Sequence, residues 1–325
     1  MIARSILYND VYVNCNSTDL RRLLNDLRGF RKLGPTISQL SLHGSKNIYT
    51  EAIWLEPIIS HCPNLTVIQF EKDNATACLP FMSQAISQLG QLHQIQVTHL
   101  DQCSPITQCL YIELNYRFRH TLTQLELANI DTHDSLFSFE RLIHFIKDFP
   151  CLKGFKASTS TKATLPTLSI DLPSLLLQCS LLESLSLSGA GMILKTHNAP
   201  LLIDTCFPLV SLELKQMHIG MDGLRWITHQ LRKLETLSIN DSMIMSSPWI
   251  DKQDEEEVMQ QFLTYLIKTK HDYDLIHFRD WTYWIGVENK QLMSPVYKGH
   301  FIPSLLYENM DPEDPVFLTD RIRVL

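Results

Sequence analysis

The 325-residue chain is poor in glycine, has no excess of basic residues and contains no long apolar run. Its 11 glycines are too few for us to expect an enzyme built on glycine-rich phosphate loops. Asp and Glu number 35 against 28 Lys and Arg, so the net charge of −7 predicts no binding to nucleic acid or to an anionic membrane. No stretch approaches the roughly 18 uncharged apolar residues that a transmembrane helix requires.

A secretory signal is also missing from the first ten residues, which hold one Arg and too short an apolar run before Asp10. We therefore expect a cytoplasmic or nuclear protein whose 8 cysteines are reduced. A hydrophobic content of 45% suffices for a packed core, which argues against a disordered chain.

Local motifs for catalysis are lacking as well, since the chain has no G-x-S-x-G elbow, no H-E-x-x-H and no Walker loop. Gly189 and Gly191 resemble the start of a dinucleotide loop, but Leu194 stands where the third glycine belongs. We interpret this segment as a variable repeat loop. The sequence predicts no catalytic residues, no cofactor and no enzymatic activity.

One cluster of metal-ligand residue types contains His99, Asp101, Cys103 and Cys109. Zinc sites pair close ligands in two sets, as in C-x₂₋₄-C, and neither the spacing nor a second set is present here. We therefore predict no metal site.

The sequence does contain one nine-residue motif that recurs along the chain. "CPNLTVIQF" at Cys62–Phe70 returns as "CSLLESLSL" at Cys179–Leu187 and "CFPLVSLEL" at Cys206–Leu214. Each contains the pattern apolar-x-x-apolar-x-apolar, whose apolar residues we number positions one, four and six. The pattern recurs every 25 to 30 residues, with position one at Ile37, Leu65, Leu92, Leu122, Leu152, Leu182, Leu209 and Leu234.

Two weaker copies, beginning at Tyr8 and Tyr273, extend the array to about ten repeats with the period of leucine-rich repeats. A further match, Leu165/Leu168/Ile170, breaks the period and is set aside as chance. The cysteine three residues before position one is predicted to be a small buried filler at the end of a helix.

The segments between the copies have helical apolar spacing. Phe139, Leu142, Ile146 and Phe149 lie at i, i+3, i+7 and i+10, which indicates one apolar stripe on a helix. Strands joined by helical crossovers must be parallel. Positions four and six then point inward, while positions three, five and seven are polar and point outward. The prediction is an α/β fold: a curved leucine-rich-repeat solenoid with strands on the concave face and helices on the convex face.

These repeats resemble those of the ribonuclease-inhibitor-like group, and more closely those of F-box/leucine-rich-repeat proteins, of which "CPNL" is typical. The resemblance covers about residues 8–280. "ARSILYNDVYV" at Ala3–Val13 resembles the segment that follows the F-box in fungal members. The resemblance implies the substrate-recognition part of an SCF-type ubiquitin-ligase subunit. The F-box itself is absent from this sequence, so binding to the cullin adaptor is implied only if an F-box exists upstream.

For the domains, we predict a solenoid over residues 1–280, of which 1–36 form an N-terminal repeat or cap after the missing F-box. Residues 281–325 are predicted to be a tail that covers the last repeat, whose apolar face would otherwise meet water. The acidic insertion Ser246–Glu257 is interpreted as a solvated helix rather than a docking site.

The outward strand residues are the candidate binding surface, because curved solenoids bind along this face. The predicted function is binding of a protein target. The alternatives are a free-standing repeat scaffold unrelated to ubiquitin, an enzyme that uses the concave face, or an outward row that only keeps the protein soluble. The predicted contact residues are Gln69, Gln96, Gln124, Glu126, Lys153, Lys156, Glu183, Glu213 and Lys215.

Overall fold

The computed structural model alternates strands and helices, and most of its strands pair in parallel. It describes residues 9–44, 52–82, 90–130, 139–159, 168–190, 192–196, 207–240 and 242–245, positions 258, 261 and 262, and five short strands between residues 271 and 293. The chain divides into two compact units, which are described separately below. Unit one is Met1–Ala128 with Asp148–Lys153, and unit two is Asn129–Lys147 with Gly154–Leu325.

Unit one consists of strands that alternate with helices. Its strands are β1 Asp10–Asn14, β2 Gln39–His43, β3 Val67–Phe70, β4 Gln94–Val97 and β5 Gln124–Leu127. Its helices are α1 Ser17–Gly29, α2 Leu55–Ser60, α3 Lys72–Met82 and α4 Pro105–Arg117.

Local sequence sets where these helices begin. The Asn16 side chain accepts a hydrogen bond from the backbone N–H of Asp19 at 2.8 Å, which satisfies a free donor in the first turn of α1. At α4, Ser104 takes the same role and Pro105 occupies the first helical position, where its missing N–H costs nothing.

The strands of unit one share one constant register. Strands β1 to β4 form a parallel sheet in which Val11 lies opposite Leu40, Leu40 opposite Ile68, and Ile68 opposite Ile95. Each of these residues is at position four of its repeat. Thr123 and His93 are at position two of neighbouring repeats, and the backbone N–H of Thr123 donates to His93 O at 2.8 Å. An equivalent hydrogen bond joins the position-two residues of each earlier pair of neighbouring repeats. The predicted register is confirmed.

The described repeats of unit two form two sheets instead of one. The first has parallel strands in the order β14 His271–Tyr273, β12 Thr236–Asn240, β10 Ser211–Lys215, β8 Ser184–Ser188 and β6 Gly154–Ser158. The second has β15 Ile276–Phe278, β13 Ser242–Met245, β11 His218–Gly220, β9 Met192–Lys195 and β7 Leu168–Asp171. The helices of unit two are α5 Phe139–Ile146, α6 Leu172–Gln178 and α7 Met221–Gln230.

The second sheet was not predicted. Leu168 and Ile170, set aside as a chance match, lie on β7, and both are buried. Each strand of the second sheet follows a strand of the first sheet, and α6 and α7 begin directly after β7 and β11. The interpretation of every intervening segment as a helix alone was therefore wrong for unit two. Three- or four-residue apolar segments do not distinguish a strand from part of a buried helix.

The last repeat was predicted in the wrong frame. Tyr273, taken as position one, lies opposite Ile239, which is at position six. Consequently Asp272, opposite Ser238, is at position five of the first sheet. His277, which the sequence pattern places there, instead pairs with Met243 in the second sheet.

The final described strands follow β15. Strand β16, Trp281–Tyr283, pairs with it in antiparallel orientation, and β17 Gly286–Glu288 forms a hairpin with β18 Gln291–Met293. The acidic insertion and residues 294–325 lie outside the described residues. The solenoid over 1–280 and the capping role of 281–325 stay predictions.

The core is built from the repeat positions. In all eight regular repeats, the residues at positions one, four and six are buried. The predicted helix stripe is buried as well at Leu142, Ile146 and Phe149. In the described part of the chain, no helix is both long and apolar enough to cross a bilayer.

The cysteines at helix ends are buried, as predicted. Burial raises the pKa of the Cys62 thiol to about 12 and that of Cys179 to about 11, which keeps both uncharged at neutral pH. Both thiols are free, and Cys206 lies outside the described residues.

Gly189 forms the turn between β8 and β9. Its φ of +122° is rare for residues with a side chain, and its N–H donates to Lys215 O at 2.8 Å. An added Cβ would lie 2.1 Å from Oγ1 of Thr159 and 3.1 Å from its backbone N. The segment that the sequence predicts to be a variable repeat loop is therefore a turn between two strands.

We predict that Leu125→Ala lowers the free energy of unfolding by about 2–5 kcal/mol, because the buried side chain would leave a cavity. Gln124→Ala, one residue away on the exposed face, should change it by about 0.5 kcal/mol or less. Urea denaturation of both variants measures the difference. Equal midpoints would contradict the register.

We also predict that Gly189→Ala destabilises the protein by about 1–3 kcal/mol, since an alanine is strained at this φ and meets Thr159. Gly29→Ala is the matched control, because a Cβ there meets nothing within 4 Å. Thermal unfolding followed by circular dichroism compares them. A Gly189→Ala protein as stable as the Gly29→Ala protein would refute this account of the turn.

Candidate functional site

The outward residues of the four-stranded sheet β1 to β4, taken together with those of β5, make up a polar face of unit one, because alternate residues of a strand point to opposite sides. We call this surface the unit-one polar face. From strand to strand, it comprises Asp10, Tyr12 and Asn14; Gln39, Ser41 and His43; Val67, Gln69 and Glu71; Gln94, Gln96 and Thr98; and Gln124 and Glu126. All of them are exposed or half-buried except Ser41, whose exposed fraction is 0%.

Two glutamines hold the buried hydroxyl of Ser41 in place. Gln39 Nε2 donates to Ser41 Oγ at 3.5 Å, and Ser41 Oγ donates to Gln69 Oε1 at the same distance. Both bonds are long, so they offset part of the cost of burying this polar group. Hydrogen bonds of this kind organise the face across neighbouring strands.

An aromatic and charged cluster lies at the end of the face where β1 and β2 finish. The rings of Tyr12 and His43 are stacked, with centroids 5.8 Å apart and planes inclined by 21°. Nδ1 of His43 is 3.0 Å from Oε1 of Glu71. The backbone N–H of Gly44 donates to Oε2 of Glu71 at 2.6 Å. We call these residues the Tyr12–His43–Glu71 cluster.

The electrostatics of the cluster favour an ionised Glu71. The hydrogen bond from the Gly44 N–H, followed by that from His43, lowers the pKa of the Glu71 carboxyl group. Because the carboxylate accepts, Nδ1 of His43 is the protonated ring nitrogen in this pair. The His43 ring is thus held by the hydrogen bond to Glu71 at one edge and by stacking of Tyr12 on its face.

Sequence reasoning placed His43 and Glu71 in the outward row but did not connect them with Tyr12. The available signal was the aromatic residue at position five of the first repeat, where the other repeats carry polar residues. Tyr12 pairs directly with Ser41, so its ring reaches His43 diagonally, two residues further along β2.

Five predicted contact residues belong to unit one. Gln69, Gln96 and Glu126 are half-buried, while Gln124 and Lys153 are exposed. The two glutamines at positions 69 and 96, Gln124 and Glu126 are on the unit-one polar face. Lys153 is at position two, and its backbone N–H donates to Thr123 O at 2.8 Å, as in the earlier repeats. Gln69 and Gln96 thus lie on the outward side of one sheet, and a role of these five residues in binding stays a prediction.

The other four belong to unit two. Lys156 lies opposite Ser186, and Ser186 lies opposite Glu213, so that position five forms a row across three strands. Ser186 Oγ donates to Glu213 Oε2 at 2.6 Å. Glu183 and Lys215 are exposed at positions two and seven. That these residues contact a target together with Glu126 and Lys153 stays a prediction.

The segment that contains His99, Asp101, Cys103 and Cys109 forms a turn followed by α4. Cys103 Sγ donates to the backbone oxygen of His99 at 3.6 Å, and burial raises the pKa of its thiol to about 11. Among the residues that the structure describes, no three His, Cys, Asp or Glu side chains converge to hold a metal ion.

Comparisons with known proteins find similarity among solved structures. No family model and no curated protein matches the chain. Among solved structures, the chain is similar to one described as the crystal structure of the Rad7 and Elc1 complex in yeast. The sequences are 13% identical and the TM-score is 0.40, over 77% of this chain and 72% of that chain.

Proposed function

We propose that this chain is a leucine-rich-repeat solenoid of about ten repeats that binds a protein target on its sheet face. The helices would lie on the convex side and the strands on the concave side. One observation carries the proposal: positions four and six are buried in every regular repeat, while most outward positions beside them are polar and accessible. A parallel sheet covered on both faces would be apolar on both, so this polarity favours an open binding face.

A protein fits this surface better than a nucleic acid does. Single-strand binders combine a basic groove with aromatic residues that stack on successive bases. Here, the described outward residues of unit one are mostly amides and carboxylates, with one exposed aromatic ring. Glutamine side chains both donate and accept, which suits the backbone and polar side chains of a protein partner.

In the finer form of the proposal, the protein is the substrate-recognition part of an SCF-type ubiquitin-ligase subunit in the cytoplasm or nucleus. Its support is the resemblance of the "CPNL" repeats and of Ala3–Val13 to F-box/leucine-rich-repeat proteins. Binding to the cullin adaptor would require an F-box upstream. The protein would not be an enzyme, because it would present the target to other subunits.

The second candidate is a free-standing repeat scaffold unrelated to ubiquitin, which the same open face supports equally. The genomic sequence upstream of Met1 separates the two candidates. An in-frame F-box there favours the ligase subunit, and co-purification of the cullin adaptor with the longer chain then tests it.

Charged outward residues, one from each unit, supply the experiment. Lys156 is exposed, and Glu126 is half-buried at the same repeat position. Partners are recognised in part through complementary charge, so reversing the sign at both positions should reduce target capture.

We predict that Lys156→Glu combined with Glu126→Lys reduces recovery of the target about tenfold or more. The target is first identified by affinity purification and mass spectrometry with the wild-type chain. Lys147→Glu, an exposed reversal just after α5, is the matched control and should retain the target. All three proteins should unfold at similar temperatures. Unchanged recovery by the double variant would place the binding site elsewhere.

A further inference from the structure

Four glutamines lie at the centre of the unit-one polar face, on three neighbouring strands of one sheet. In one row, Gln39 and Gln94 lie on either side of Val67. In the next row, Gln69 lies opposite Gln96. All four glutamine side chains are half-buried, so each has less freedom to lose on binding than a fully exposed side chain. The constant register therefore gathers four carboxamide groups on one surface.

These carboxamides have hydrogen-bonding capacity left for a partner. Nε2 of Gln39 donates to Ser41, and Oε1 of Gln69 accepts from it, so one amide atom of each glutamine has its bond inside the protein. The side chains of Gln94 and Gln96 make no hydrogen bond to another described residue. A carboxamide offers an acceptor oxygen and two donor hydrogens, which is the chemistry of the peptide bond itself.

The surroundings of the four glutamines offer few contacts to large side chains of a partner. Val67 is the one apolar outward residue of strands β2, β3 and β4. Interfaces that rely on inserted side chains place aromatic or apolar anchors in well-packed pockets. A row of amides is suited instead to the main chain of a partner, because main-chain N–H and C=O groups pair with both ends of a carboxamide.

A partner segment that offers its main chain must be extended. In helices and interior strands, the backbone N–H and C=O groups are already paired within the partner. An extended segment that lies across the strands still has these groups unpaired. Strands β2 to β4 span about 10 Å at about 4.8 Å per step, which equals about three extended residues at about 3.3 Å each.

The charge of the face restricts the segment further. The acidic outward residues along β1 to β4 are Asp10 and Glu71, and neither Lys nor Arg occurs among the outward residues of these strands. The negative potential of the two carboxylates attracts a positively charged segment and repels an acidic one. Charge complementarity therefore favours a partner segment rich in Lys or Arg.

We propose that the four glutamines bind the main chain of an extended, positively charged segment of the target protein. This inference rests on the proposed function and names the part of the target that the unit-one polar face takes. Each carboxamide donates to a backbone C=O or accepts from a backbone N–H of the segment. Because the contact is to the main chain, net charge selects the segment and a strict sequence motif does not.

The test uses a phage-displayed library of random 12-residue peptides selected on the immobilised full chain. We expect the selected peptides to share an excess of Lys and Arg without a common motif. One of them is synthesised with single backbone N-methyl groups at its uncharged positions. At one or more positions, N-methylation should weaken binding about tenfold, because a hydrogen bond is lost. Alanine at the same position leaves the main chain intact and should weaken binding by less than about threefold.

Protein variants then locate the contact. Gln94→Met combined with Gln96→Met keeps the length of both side chains and removes both amides, so it should weaken the peptide about tenfold. Gln91→Met is the matched control, since this exposed glutamine belongs to the same repeat but precedes strand β4. The control should bind the peptide as the wild type does. Circular dichroism verifies the fold of each variant.

Four outcomes would overturn the inference. Equal binding of the peptide by the double variant and by wild type would place the contact elsewhere. Stronger loss from alanine than from N-methylation would refute recognition through the main chain. Selected peptides rich in Asp and Glu, or a library that yields no peptide, would refute it as well. The proposed function survives each of these results if the chain still captures a target protein that Lys156→Glu with Glu126→Lys fails to capture.

Discussion

The repeated parallel hydrogen bond at position two is the constraint on which the rest of the structure depends. In unit one it joins Asn9 to Ser38, Ser38 to Thr66, Thr66 to His93 and His93 to Thr123, with N···O distances of 2.8 to 2.9 Å. In unit two, the N–H of Val210 donates to Glu183 O in the same way. Because side chains alternate with a period of two, a slip by one residue would turn each apolar set toward water.

This register explains why the nine-residue motif recurs. No repeat has enough apolar surface to form a core alone, so positions one, four and six bury against the equivalent residues of the neighbouring repeats. Buried Cys62 and Cys179, three residues before position one, are small apolar side chains at helix ends. In unit two, a second strand in each repeat also contributes apolar residues to the core. It places Leu168 and Ile170 beside Met192 and Leu194.

The same register that forms the core also brings the residues of the candidate site together. Tyr12, His43 and Glu71 are separated by 31 and 28 residues in sequence, and each belongs to a different repeat. Stacking the repeats at constant register brings them to one end of the face. Gly44, with φ of +71°, turns the chain there and presents its N–H to the Glu71 carboxylate. A binding surface of this type can change without disturbing the core, because the two use alternate residues of the same strands.

The amino-acid sequence determined the parallel strands, the buried positions and the outward polar row, since these follow from a periodicity that local residues carry. Leu125 and Gln124 illustrate this, as their opposite burial follows from alternation alone. Only the tertiary structure decided that β7 is a strand, because its short apolar pattern fits two kinds of buried element. It also decided the frame of the last repeat, where Asp272 rather than His277 continues the first sheet. The stacking of Tyr12 on His43 depended on it as well, because a diagonal contact requires the pairing partner, the side-chain direction and the Glu71 hydrogen bond together.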